Sequence, residues 1–186
     1  MNERAKNILN FWFEKSSTEY HFKRNDSFDK KIKNNFQNDY FQAINNELED
    51  WQDNAKSCLA LIIILDQFSR NLYRNSPLAF KYDYKARLIV NEAIDRGDLE
   101  KIEVIHKFFL ILPLIHSEDF SDHIFANNLC KTFLKTHPEY KNITKQFDYH
   151  SIPIKKFGRY PHRNKILERV STKEEEEFLS QPNSAW

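Results

Sequence analysis

Two glycines in 186 residues, Gly97 and Gly158, restrict this chain more than any other feature. Ordinary usage, about 7%, would supply roughly thirteen. Tight hairpin turns, bulges and phosphate-cradling loops need backbone at positive φ, which glycine adopts without a steric penalty. A chain almost without glycine is expected to be helices joined by short polar loops. It carries neither a G-x-G-x-x-G nor a Walker loop, so nucleotide enzymes built on those loops are excluded at the motif level.

The chain is 40% hydrophobic and 15% aromatic, enough to bury a sizeable core in one domain, expected to span residues 1–186. No Pro-, Gly- or Ser-rich linker divides it. Net charge is +1 with both signs interspersed, so no electrostatic funnel points to nucleic acid or an anionic membrane. The longest apolar runs, 59–65 and 108–115, fall short of the ~20 residues that span a bilayer. The opening MNERAKNILNFWFEK lacks the apolar centre of a signal peptide, and a cytoplasmic location is expected. Cys58 and Cys130 lie in apolar contexts without a Cys-x-x-Cys motif and are expected to be buried free thiols.

Apolar residues recur at helical spacing throughout. Ile8, Phe11 and Trp12 mark a first stripe, Phe28, Ile32 and Phe36 a second, and Phe41, Ile44, Leu48 and Trp51 a third. A central buried helix is expected around residues 55–74: Leu61, Ile64, Leu65, Phe68 and Leu72 form its stripe, and Ile62 and Ile63 make it apolar all round. Ser76-Pro77 predicts a cap and first turn for a helix that ends at Gly97. Pro113 is expected to kink or break the run 108–115, and Ser117 to cap a fresh helix. A further helix is expected near residues 142–157, ended by Gly158. A capping box at Ser171-Thr172-Lys173-Glu174 predicts the last.

Three segments carry polar groups that a core does not need. The central helix is apolar for two turns and then presents Asp66, Gln67, Arg70, Asn71 and Arg74. LPLIHSED holds His116, Glu118 and Asp119. FGRYPHRN holds Arg159, His162, Arg163 and Asn164. Lysines outnumber arginines nineteen to nine, yet residues 57–80 contain no lysine, and five of the nine arginines sit at 70, 74, 159, 163 and 169. A planar guanidinium binds carboxylate or phosphate at two points, which an ammonium cannot reproduce. These arginines therefore either bridge helices through Asp66, Glu118 and Asp119, or hold an anionic ligand. His116, Asp119 and His123 share one helical face at i, i+3, i+7, a weak metal pattern; no metal and no cofactor is expected. No Ser/His/Asp or Cys/His arrangement is present.

LDQFSRNLYRNSPLAFKYD, LPLIHSED and FGRYPHRN, with ILNFWF at one end and STKEEEEFL at the other, resemble the signature stretches of the bacterial "domain of unknown function 924" family, in order and over essentially the whole chain. The chain departs from that pattern at Ser69, where proline is usual, at Ile115, where glutamate is usual, at Tyr73, and at His123. The resemblance implies an all-α fold of stacked antiparallel helical hairpins, tetratricopeptide-like, and no settled activity.

The sequence reading is that the three segments meet in one polar cleft made electropositive by Arg70, Arg74, Arg159 and Arg163. Asp66, Glu118 and His116 would orient those arginines or act on a ligand. The expected partner is a peptide or protein, or else a small anion such as a phosphate or carboxylate, with or without catalysis. Nucleic acid and membrane are not expected partners.

Overall fold

The computed structural model describes residues 1–182 and 184, and among them the fold is all-α. Helix α1 (Glu3–Phe13) is capped by Asn2, whose side chain accepts from the amide of Arg4, and buries Ala5, Ile8, Leu9 and Trp12. A short α2 (Lys15–Thr18) leads to α3 (Asp26–Ile44), capped by Asn25. The second stripe and the start of the third thus form one helix rather than two. That helix ends where Asn46 adopts φ 65°, and beyond it Leu48 is buried just before the 3-10 turn Glu49–Asp53 and Trp51 on it.

The central rod begins as α4 (Ala55–Ile63), continues through a π-helical turn (Ile64–Phe68) and closes as α5 (Ser69–Leu72). Residues 58–65 are each no more than 2% exposed, so the all-round apolar sequence corresponds to a fully enclosed helix. It packs on α1, on α6 (Asp83–Asp95) and on α7 (Val104–His116), while the π turn and α5 pack on α3. Phe68 carries this core into an aromatic group with Phe11, Trp12 and Phe36.

Ser76 caps only a 3-10 turn, Pro77–Ala79, and α6 starts afresh at Asp83. Gly97 follows α6 at φ 69°. Pro113 does not end α7, which runs on to His116 with Phe108 to Ile115 buried. A proline removes one amide donor, and burial on several sides holds the helix past it. Helix α8 (Phe120–Phe133) is capped by Asp119 rather than Ser117. Helix α9 (Tyr140–Phe157) ends at Gly158, φ 68°. The turn Pro161–Arg163 leads to α10 (Lys173–Leu179), whose capping box pairs Thr172 with Glu175. Consecutive helices α6, α7, α8 and α9 pack each on the next across short connections. No helix among the described residues is long and apolar enough to cross a membrane.

Candidate functional site

The π turn sets the position of Asp66. Such turns are rare and concentrate at functional sites. Asp66 is 0% exposed. Its Oδ1 lies 2.6 Å from Nδ1 of His116, the last residue of α7, and its Oδ2 accepts from the Gln67 amide. A carboxylate only accepts, so Nδ1 of His116 carries the proton in this bond. Burial disfavours the charged acid, but His116 and Arg70 beside it and the two side-chain hydrogen bonds outweigh that and hold Asp66 below the usual carboxylate range.

One turn on, Arg70 has a nitrogen 3.7 Å from Asp66 and forks onto Asp83 of α6 at 3.0 and 2.9 Å, with a further bond to the Ala79 carbonyl at 2.8 Å. Arg163 approaches the same Asp83 from the turn after α9, at 3.6 Å. Its guanidinium lies 4.4 Å from the Tyr160 ring centroid and 4.7 Å from that of Phe80. Rings on the faces of a guanidinium leave its in-plane edges for hydrogen bonding. Burial lowers the pKa of Arg163, with the Arg70 charge adding to that and Asp83 opposing it.

A second network adjoins the first. Glu118 accepts from the Tyr160 amide at 2.8 Å and from both terminal nitrogens of Arg169 at 2.7 and 3.0 Å. Arg169 reaches Asn164, Asn164 reaches Glu175, and Glu175 takes the fork of Arg159 at 2.6 and 2.8 Å. This chain of bonds fastens the segment 158–175 to the α7–α8 corner. Tyr160 donates its hydroxyl to the Ile115 carbonyl and is ringed by His123, His150 and His162 at 6.2, 6.3 and 5.2 Å between centroids. Burial pushes His150 and His162 each down to about 3, helped by the charge of His116 at His150 and of Arg163 at His162.

A family model described as "Bacterial protein of unknown function (DUF924)" matches residues 8–183. The chain belongs to this family. A solved structure of a protein of unknown function from Agrobacterium tumefaciens is similar to this DUF924 chain, at 33% identity and a TM-score of 0.85, covering 94% of this chain and 96% of that one. No curated protein matches.

Of the residues singled out in the DUF924 signature stretches, Asp66, Gln67, Arg70, His116 and Arg163 meet in the first network, with His162 beside Tyr160 at its edge. Glu118, Arg159 and Asn164 belong to the second. Arg74 and Asn71 correct the expectation of one shared cleft, because both bond to Asp29 of α3 and tie α5 to that helix. Asp119 caps α8 through the Ser121 amide and lies 3.5 Å from Arg87. The metal pattern dissolves for the same reason: His123 Nε2 bonds to the Ser117 carbonyl while Asp119 serves the cap.

The expected electropositive cleft is also corrected. Arg70 and Arg163 face Asp66 and Asp83, Arg74 faces Asp29, and Arg159 faces Glu175. Arg169 makes one of the bridges expected of the clustered arginines, to Glu118, while Asp83, Phe80 and Tyr160 complete the networks and were not among the expected site residues. Asp83 reads in the sequence as one more polar residue of the helix expected to open at Ser76-Pro77. A cavity of about 300 Å³ lies elsewhere, between the end of α3 and α6, and shares none of these residues.

Proposed function

We propose that this DUF924 protein binds a small phosphate- or carboxylate-bearing molecule at Arg163 and Arg70. One contrast carries the reading. Every arginine of the chain has a carboxylate oxygen within 3.6 Å, and eight of the nine hydrogen-bond to that partner. Arg163 has the most buried side chain of them, 8% exposed, and makes no such bond among the described residues; its Nε has no acceptor there. A buried guanidinium without an in-plane acceptor is costly, and an anionic oxygen is the group that relieves it. Asp83 does not, since its nearer oxygen stands 3.6 Å from Arg163, beyond hydrogen-bond distance.

The test is a thermal-shift titration with inorganic phosphate on the natural protein and on Arg163→Met. Phosphate also stabilises proteins generally by exclusion from their surfaces, and that part is common to both. The reading expects a saturable extra stabilisation in the natural protein alone. Equal shifts in the two proteins refute it.

A peptide- or protein-binding role draws support from a different place, the cavity beside α6, where exposed Tyr84 and Leu88 flank a floor of Ala43, Leu61 and Ile89. Hairpin packing from α6 to α9 fits a tetratricopeptide-like module of that kind. An alanine pair at Tyr84 and Leu88 tests this role through loss of a captured peptide, with phosphate binding unchanged.

A further inference from the structure

We infer that His116 accepts and returns a proton on the molecule anchored by Arg163 and Arg70, with Asp66 as its positioning residue. The inference rests on the anion reading above and adds the chemistry of the second half of the same cluster.

Four observations converge. The His116–Asp66 bond is short, 2.6 Å, and joins residues 50 positions apart, so two separate helices are held in register by it. Asp66 is fully buried, and both its oxygens are engaged, which fixes the carboxylate against rotation. With Nδ1 carrying the proton toward Asp66, Nε2 holds the basic lone pair, and it makes no hydrogen bond to a described residue. His116 is the partly exposed member of the pair, its side chain 12% exposed against 1% for Asp66. A carboxylate that fixes the imidazole tautomer and stabilises the imidazolium is the arrangement that general bases use.

The remaining imidazoles nearby are occupied otherwise. His123 bonds to the Ser117 carbonyl, and His150 bonds to the Gln146 carbonyl at 2.7 Å. Burial holds both below the ordinary histidine range. Arg70 links the two halves of the cluster, touching Asp66 on one side and sharing Asp83 with Arg163 on the other.

The step is a proton transfer. Nε2 takes a proton from a hydroxyl or a carbonyl-activated C–H of the substrate, the electron pair stays on the substrate atom, and His116 becomes an imidazolium bonded to Asp66. The same proton returns to the product. The substrate class is therefore a small molecule with a phosphate or carboxylate and, within a few bonds, a hydroxyl or an acidic C–H. No co-reactant is needed.

Long-range proton–nitrogen NMR on 15N-labelled protein tests this, with sulfate as a non-titrating probe for the phosphate-like arm and acetate for the carboxylate arm. The expected result in the free protein is His116 as the Nδ1–H tautomer. Addition of the recognised anion should move its Nε2 resonance. Asp66→Asn should mix the tautomers while sulfate binding persists; a role that is only structural predicts no anion dependence at Nε2. Arg163-dependent binding that leaves the His116 resonances still overturns this inference and spares the anion reading. Absence of Arg163-dependent binding of either anion overturns both.

Discussion

Arg169 and Glu118, 51 residues apart, form a two-point ion pair at 2.7 and 3.0 Å that also gathers the Tyr160 backbone, its amide on Glu118 and its carbonyl on Arg169. The segment after α9 carries no long apolar run and is held by such bonds. Replacing Glu118 with Gln keeps the shape and removes the charge. The expected outcome is faster amide hydrogen exchange across 159–170 with little change in α4, read by mass spectrometry.

Asp66→Ala removes the acceptor for His116 and Gln67 and leaves Arg70 with Asp83 as its one carboxylate, beside the Ala79 carbonyl. Breaking a buried ion pair from one side costs about 3–5 kcal/mol. Urea denaturation should show a loss in that range. Asp66→Asn, which keeps the volume, should lose less.

Asp29→Ala unties Arg74 and Asn71. These side chains are partly exposed, 29% for Arg74, so the expected loss is smaller, about 1–2 kcal/mol. Phosphate binding should be unchanged, because this clamp faces α3 and not Arg163. The two readouts together separate the clamp from the anion site.

Stability should fall on acidification in two stages. His21 is held down to about 4 by burial, and His150 and His162 to about 3, so all three are neutral in the fold near pH 6. In the unfolded chain a histidine titrates near 6.5. The unfolded state therefore binds more protons between about pH 6.5 and pH 4, and stability present above that window is lost as pH falls through it. Below about pH 4 the depressed carboxylates Asp66, Glu118 and Glu175 add a second loss. Urea midpoints measured from pH 7.5 to 4.5 should decline steadily; a flat profile contradicts the buried neutral imidazoles.

Burial pushes the Cys58 thiol up to about 12 and that of Cys130 to about 11. The thiolate is the reactive form. A thiol reagent at pH 8 should react with the folded protein only as fast as it opens, and fully in denaturant.

Much of this fold was legible because its largest signal is composition. A helix as apolar all round as residues 58–65 has one place to go, the centre, and it lies there. Breaks and joins were less legible. The stripes at Phe36 and Phe41 belong to one helix, since nothing between them stops it, and Pro113 did not break α7, because packing outweighed the lost bond. The site was legible in its residues and in part of its pairings. Asp66 and Arg70 stand at i, i+4 and lie 3.7 Å apart, and of the two carboxylates the sequence offers His116, Asp66 and Glu118, the structure gives it Asp66. Arg74 follows Arg70 by one turn yet serves a different helix. Such partners depend on which helices meet, and helical spacing alone does not carry that information.

Anion binding turns on the edge of one guanidinium, that of Arg163. Crystals of the protein exposed to selenate, a tetrahedral dianion located by its anomalous scattering, give the direct measurement. The expected result is a selenate oxygen within hydrogen-bonding distance of Arg163 Nε, with Arg70 as its second contact. Selenate bound only at other surface sites, with Nε facing a protein acceptor or a lone water, would contradict it.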